Sequence, residues 1–506
     1  MSIHWPIIRR LLASPRRKII TDDRRTWTAG ELLVGAKHLA SEIERRSTSR
    51  TVATLLPTSG AFPMAALAAW IAGRVVVPLN YLLKRDELQY VIEHCETDLI
   101  ITAQALLDHL GYTPGQGEKP VRLLRLEDVD FRGFPEARWP ASARDDDLAV
   151  LLYTSGTSGK PKGVMLSHGN ITSNIEQCRV WAKFDGGHTL LGILPQFHSF
   201  GFTVLTMLPL TVGCRAIYAA RFVPFRVINL IREHRPTAFV AIPSMYAALL
   251  TAKNAEPEAV SSLKYVVSGA EPLPDDVARR FREKFGLTLN EGYGLTETSP
   301  VTNWCLPDDF LPHSVGPPLP GVEERIVDLE TGRDLPPGRE GEIRIKGPNV
   351  MQGYFKMPAE TAAAFDERGY LRTGDIGRFN SRGHLFITGR LKEMLIVGGE
   401  NVFPREIEEV INTHPGVHAS AVIGAHDAMR GEVPVVFVEL EEGASFDEKA
   451  LRALCREKLA GYKVPDRIVV VEKLPRNATG KILRRELKGM LEAEATASAD
   501  RSERTS

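Results

Sequence analysis

The sequence has little with which to cross-link itself, span a membrane or grip nucleic acid. Five cysteines are scattered over 506 residues, Cys95, Cys178, Cys214, Cys305 and Cys455, with no Cys-x-x-Cys pairing. An odd, dispersed set excludes a disulfide framework and a zinc site of paired thiols. It fits reduced thiols in a cytoplasmic protein. No uninterrupted apolar run approaches the roughly 18 residues that a membrane-spanning helix needs. Lys plus Arg and Asp plus Glu both number 63, so a net charge of zero gives no electrostatic case for a nucleic acid partner. There is no internal repeat. Only the tail after Leu491, rich in Ala, Ser and charge, has the composition of a disordered segment. Acids are missing from the N-terminus, where Arg9, Arg10, Arg16, Arg17 and Lys18 precede Asp22. Such a start suits a transit peptide or peripheral contact with a membrane surface. Pro6 and Pro15 argue against a long amphipathic helix, so an ordinary first helix with a solvated basic edge is expected.

What is present is a pattern of alternating strands and helices. At 43% apolar and 25% charged residues, 506 residues can build more than one large core. Strand-like runs at 52–56, 75–78 and 99–102 alternate with helical stretches after Thr28, at 62–72 and at 86–95. This alternation predicts an α/β layer architecture with parallel strands. Residues 111–146 are rich in Gly, Pro and charge and read as irregular surface chain.

The chemistry starts at Tyr153–Val164, YTSGTSGKPKGV. A buried strand, Ala149–Tyr153, runs into Thr154, Ser155, Gly156, Thr157, Ser158 and Gly159, with Lys160 and Lys162 following. Glycines let backbone N–H groups close around an anion, and hydroxyls and lysines add donors and charge. The loop is not a Walker A motif, because two residues and not four separate Gly156 from Gly159, and Pro161 follows Lys160. Further along, Gly292-Tyr293-Gly294-Leu295-Thr296-Glu297 offers an aromatic plane for a purine, a hydroxyl for phosphate and a carboxylate for Mg²⁺.

These residues resemble the signature motifs of the adenylate-forming (AMP-binding) superfamily, on its acyl-CoA synthetase branch. Seven motifs in family order span residues 153–482. The resemblance implies ATP, Mg²⁺ and CoA as ligands and a small-molecule carboxylic acid as substrate. It assigns adenine stacking to Tyr293, the adenine-side loop to Gly269, Ala270 and Glu271, and an α-phosphate contact to Thr296. Candidate Mg²⁺ ligands are Glu297 and Thr154. Asp375 matches the residue that holds both ribose hydroxyls, Arg390 matches a second ribose or phosphate contact, and Lys392 falls on the hinge position. Gly398, Gly399 and Glu400 match the turn along which pantetheine passes. Lys481 matches the lysine essential for adenylation, and His198, in Pro195–Gly201, matches the residue that gates the acyl pocket. Candidate catalytic residues are therefore Lys481, Thr296 and His198. One departure is the turn Asn380-Ser381-Arg382-Gly383, where the family commonly has an acidic Asp-Gly turn.

The implied fold is a large N-terminal region of packed mixed and parallel sheets with helices, residues 1–390, and a small mobile α/β C-terminal domain, 391–490. A tail, 491–506, is expected to be disordered. Lys481 and the Gly399 turn serve different half-reactions, which the family reconciles by rotation of the small domain about the hinge. The implied chemistry is acyl-adenylate formation followed by transfer to CoA. Alternatives are transfer to an acyl carrier protein and an aryl acid as substrate. No Asp lies between Pro195 and Gly201 to pair with an amino-acid ammonium. Phe197, Phe200, Phe202, Val204, Leu205, Met207 and Leu208, with 240–242 and 268–270, form an apolar set. That set predicts a medium- or long-chain fatty acid.

Overall fold

The computed structural model describes residues 2–117, 120–154, 160–427, 429–441, 443–476, 482–491 and 493. Ser155 to Gly159, Lys481 and nearly all of the tail therefore lie outside the described residues. The chain divides into two compact units. The first comprises 1–270, 281–324 and 344–372, and the second 271–280, 325–343 and 373–506.

Two large sheets carry the first unit. In one, six parallel strands run in the order Asn290–Gly294, Tyr265–Ser268, Ala238–Ala241, Thr189–Gly192, Arg215–Tyr218 and Lys18–Thr21. Antiparallel strands Val301–Trp304 and Thr26–Thr28 flank them at the two edges. In the other, Leu148–Thr154, Val75–Pro78, Thr51–Leu55, Leu99–Thr102 and Arg122–Arg125 are parallel neighbours. Lys162–Ser167 and Gly353–Tyr354 extend this sheet antiparallel beyond Leu148–Thr154. Strands that are apolar throughout, such as Val75–Pro78, are buried on both faces, as parallel sheets covered by helices require.

The expected helices form for local reasons. Thr28 caps the helix Ala29–Arg46: its hydroxyl accepts from the Glu31 N–H while the Glu31 carboxylate accepts from the Thr28 N–H. Such a capping box contributes about 1 kcal/mol. The apolar stretch Ala61–Ile71 is a buried helix, and its Trp70 indole donates to Ala149 O at 2.9 Å. Residues 111–146 are not wholly irregular: Arg122–Arg125 pairs in parallel with Leu99–Thr102. Its burial pattern is mostly exposed, because it is an edge strand, and so it lacks the apolar run that would mark it in sequence.

The N-terminus folds as an ordinary ten-residue helix, His4–Ala13, burying Ile7, Ile8 and Leu11. Its basic edge is used within the protein: Arg10 donates to Thr211 O at 2.5 Å, and Arg17 to Gly186 O at 2.8 Å. Among the described residues no helix is long and apolar enough to cross a membrane. No disulfide joins any of the five cysteines, all of which are buried, and burial pushes the Cys95, Cys178 and Cys214 thiols up to about 12.

A four-stranded sheet is ordered Glu323–Val327, Gly341–Lys346, Leu371–Phe379 and Leu385–Arg390. The second unit holds a five-stranded sheet built on the long hairpin Val417–Asp427 and Gly431–Leu440, against which Arg467–Val471 lies parallel. The helix Pro404–Ile411 buries Ile407 and Ile411 on this sheet, with Val410 half-buried beside them.

Candidate active site

In the first unit the two strands flanking the phosphate loop are held together. Thr154 is the cross-strand partner of Lys162, so the segment between them leaves and re-enters the sheet at one point. The Lys162 ammonium lies over the Tyr354 ring, 4.9 Å from its centre, and Lys160 lies over Tyr90 at 5.3 Å. The Tyr354 hydroxyl in turn donates to Glu297 Oε1 at 3.0 Å. Burial and the adjacent Glu297 carboxylate keep this phenol protonated far above the ordinary tyrosine range. Lys162, Tyr354 and Glu297 thus form one chain of contacts linking the phosphate-loop strand to the acid expected to meet Mg²⁺. Neither Tyr354 nor its role is visible in the sequence, because its partner is 57 residues away.

Among the described residues no group of three or more His, Cys, Asp or Glu could form a metal cage. A lone carboxylate such as Glu297 fits Mg²⁺ that arrives on nucleotide phosphates, where one or two protein carboxylates suffice.

The Thr296 hydroxyl donates to Ser199 Oγ at 3.2 Å, which brings the Tyr293 motif against the Pro195–Gly201 motif. Each of the two segments also folds tightly on itself at a glycine. A Cβ on Gly201 would lie 2.0 Å from Pro195 O, and one on Gly294 would lie 2.0 Å from Pro300 O. Gly292 and Tyr293 pair with Trp304 and Asn303 on the antiparallel edge strand. Gly269 faces the Phe200 ring, with 3.1 Å between its notional Cβ and Phe200 Cε1. Ala270 next to it has φ +70°, a left-handed conformation that costs a non-glycine residue about 1–2 kcal/mol. Such strain is retained where a loop must hold a set shape for a ligand.

His198 is exposed at the N-terminus of the short helix Ser199–Phe202. That helix continues into a π-helical turn, Thr203–Met207, with Thr206 Oγ1 donating to Gly201 O at 2.7 Å. π-turns are frequent at functional sites, and this one has no sequence signal. The apolar set splits. Phe197 packs edge-on against Tyr81 with ring centres 5.0 Å apart, and Phe200 abuts the Gly269 loop. Phe202, one of the apolar residues just past the motif, is wholly buried between Phe62 and Trp70 and packs in the core.

In the second unit, Asp375 and Arg390 are cross-strand partners, and Arg390 Nε donates to Asp375 Oδ1 at 2.6 Å. The resemblance implies a ribose contact at Asp375 and a ribose or phosphate contact at Arg390; the fold pairs the two, with the Asp375 carboxylate buried. Glu271 also belongs to this unit and is half-buried. Lys392 is exposed in the single turn Leu391–Glu393. Gly398 and Gly399 close the tight hairpin between Leu395–Val397 and Glu400–Val402, with φ +60° and +88°. A two-residue hairpin turn with both φ values positive selects glycine, so the turn geometry alone accounts for this pair. Nothing lies within 4 Å of a Cβ at either position, and Glu400 is exposed.

The ends of the segment containing Lys481 are paired, Arg476 bridging antiparallel to Ile482 and Leu483 N–H donating to Pro475 O at 2.8 Å. Just beyond, Arg484 donates to the buried Glu408 carboxylate at 2.6 Å, and Glu408 also accepts from Val422 N–H at 2.7 Å. Burial drives the Glu408 carboxyl up, and Arg484 opposes it.

Comparison with known proteins gives one family along the chain. The profile of the AMP-binding enzyme family matches residues 9–355, and that of the AMP-binding enzyme C-terminal domain matches 406–481. The chain is 34% identical to a long-chain-fatty-acid–CoA ligase of Bacillus subtilis strain 168, over 94% of this chain and 91% of that protein. It is 32% identical to a feruloyl-CoA synthase of an Amycolatopsis species, over 96% and 98%. Among solved structures, ATP-bound MatB from Rhodopseudomonas palustris superposes with a TM-score of 0.87 at 33% identity, covering 97% of this chain and 99% of that one.

Proposed function

The chain belongs to the AMP-binding enzyme family of adenylate-forming acid–CoA ligases, and from that premise we propose that it activates a medium- or long-chain fatty acid. The acid attacks the α-phosphorus of ATP, giving acyl-adenylate and pyrophosphate, and the thiol of CoA then displaces AMP. No general base is needed for the first step, since the carboxylate is already the nucleophile. The obstacle is repulsion between a carboxylate and a polyanion. Lys481 and Lys162 supply positive charge, and Mg²⁺ at Glu297 would neutralise phosphate oxygens shared with the in-line transition state. Thr296, fixed by Ser199, contacts the α-phosphate, and Tyr293 stacks on the adenine. Asp375 accepts from the ribose hydroxyls beside Arg390. In this reading 1–390 bind nucleotide and acid, and 391–490 act as the lid that turns at Lys392 and presents the Gly399 turn to CoA.

The observation that carries the nucleotide reading is the contact chain Lys162–Tyr354–Glu297 set against the Thr296–Ser199 pair. The fatty-acid reading rests on the apolar residues at the second motif and on the Bacillus relative. An aromatic acid is the competing reading, favoured by the feruloyl-CoA synthase. CoA is the proposed acceptor, as in the names of both relatives; nothing in the comparisons supports an acyl carrier protein. The test is ATP–pyrophosphate exchange across a panel of acids, followed by thioester formation with CoA or with a holo carrier protein. Exchange with no acid would refute the ligase reading. Thioester on the carrier protein and not on CoA would refute the acceptor.

A further inference from the structure

Glu324 is a buried carboxyl with an unexplained environment. It lies in the first unit, on the strand Glu323–Val327, and its Oε1 is buried without a hydrogen-bond partner. Its Oε2 accepts from Asn303 Nδ2 at 3.1 Å. Asn303 also donates to Gly316 O at 3.3 Å, and its Oδ1 accepts from the Thr302 hydroxyl at 2.9 Å. Thr302 Oγ1 lies 3.4 Å from Tyr293 O. Asn303 is the cross-strand partner of Tyr293, which places the two side chains on one face of the strand pair. Glu324, bonded to the Asn303 side chain, therefore lies on the face of the strand pair from which the Tyr293 side chain also projects.

The charged groups nearby are used elsewhere. Glu323 accepts from the Tyr370 hydroxyl at 2.7 Å, Arg344 pairs with Asp366 at 3.1 Å, and Lys346 donates to Arg368 O at 3.3 Å. Arg325 pairs with Asp334 at 2.6 Å, and Glu342 accepts from Gly374 N–H at 3.3 Å. Glu291 and Tyr293 on the flanking strand, and Cys305, Asp308, Asp309 and His313 on the loop, are the remaining titratable groups there. Burial pushes the Glu324 carboxyl up to about 8, with the hydrogen bonds from Asn303 and Thr302 opposing it and no charged group contributing. A buried carboxylate with only neutral donors and no counter-charge is costly, so its ionisation favours local opening and entry of water.

We propose that Glu324 is a positioning residue of the nucleotide site: as a carboxylic acid it fixes Asn303 and, through it, the strand pair carrying Tyr293, and its ionisation loosens that pair and weakens nucleotide binding. The proposal rests on the nucleotide reading above, but it is tested by binding and not by turnover. The probe is α,β-methylene-ATP with Mg²⁺ and no acid, titrated calorimetrically between pH 7 and pH 9. If only the acid form binds, apparent affinity falls by about tenfold over that range. Glu324→Gln, which stays uncharged, removes this pH dependence, and Asn303→Ala weakens binding at pH 7 while Tm identifies the folded variants. Should Glu324→Gln not fold, Glu324→Met gives the same reading: affinity independent of pH. In exchange assays the loss appears in KM for ATP and not in kcat, which separates Glu324 from titration of Lys481. Equal pH dependence in Glu324→Gln and the parent, or a flat profile in the parent, overturns the proposal. Normal nucleotide binding with no exchange for any acid would instead count against the ligase reading.

Discussion

The Tyr354 hydroxyl donates to Glu297 Oε1 at 3.0 Å, so the acid expected to meet Mg²⁺ is held by a phenol from a different strand. The same ring lies under the Lys162 ammonium. Tyr354→Phe keeps the ring and removes the donor. A hydrogen bond to a charged group contributes roughly 1.5–3 kcal/mol. The expected outcome is a KM for MgATP raised by about tenfold or more, with Tm little changed. Tyr354→Leu, which also removes the ring under Lys162, should cost more. An unchanged KM in Tyr354→Phe would mean that Glu297 is placed by its backbone alone, through its carbonyl contact with Met351 N–H at 2.8 Å.

Asp375 and Arg390 give a second test on the nucleotide. Asp375→Ala removes the proposed ribose acceptor and the carboxylate that Arg390 meets at 2.6 Å. Affinity for ATP should fall by about tenfold or more. Deoxy analogues of ATP lacking one ribose hydroxyl should be discriminated against by the parent and not by the variant. Equal discrimination by both would place the ribose elsewhere.

What the sequence shows and what it hides follow one physical rule. A nest for phosphate, an aromatic–hydroxyl–acid run or a positive-φ turn is made of adjacent residues, so Tyr293, Thr296, Glu297 and the Gly398–Gly399 turn are all legible. Contacts between distant segments are not. Ser199 meets Thr296 across 97 residues, and Arg484 meets Glu408 across 76. Phe202 follows the motif in an apolar run, and only the positions of Phe62 and Trp70 show that it packs into the core. The glycine at 201 read as part of a family pattern; the structure supplies the reason, a backbone oxygen where a side chain would be.

The Arg484–Glu408 pair makes a prediction about stability that is separable from chemistry. Glu408 is buried, and without Arg484 its charge has no partner of opposite sign in its first contacts. Removing one member of a buried pair typically costs about 3–5 kcal/mol. Arg484→Met should therefore lower Tm clearly, and Arg484→Met with Glu408→Leu should recover much of the loss. If the double variant is as unstable as the single, packing of the Arg484 stem and not its charge is what matters.

If Lys481 serves adenylation alone, as proposed, its removal separates the half-reactions. Lys481→Ala should slow acyl-adenylate formation by on the order of 10²-fold or more, as expected for one charged donor lost from a transition state. Thioester formation from supplied acyl-adenylate and CoA should survive. Loss of both steps in a folded variant would show that Lys481 is not confined to adenylation.

The last prediction concerns acid and the N-terminal helix. His4 and His168 are both buried, with ring centres 5.8 Å apart, and His168 packs edge-on to Trp70. Ile3 N–H donates to His168 Nδ1 at 3.4 Å, so His168 must be neutral, with its proton on Nε2. His4 Nε2 donates to Ala141 O at 3.1 Å. Burial lowers both imidazoles from 6.5 to about 4. The unfolded chain therefore binds more protons than the folded one between those values, and stability must fall as pH drops from 6.5 towards 4. Protonating His168 at Nδ1 removes the acceptor for Ile3 and places a cation beside His4, so the helix His4–Ala13 should loosen first. Amide exchange in residues 4–13 should accelerate on acidification before that of the strands at 75–78 and 99–102. His168→Gln keeps an acceptor without a titrating ring, and its Tm should change less with pH over this interval. If the parent and His168→Gln lose stability in parallel, the acid sensitivity lies in carboxylates and not in this pair.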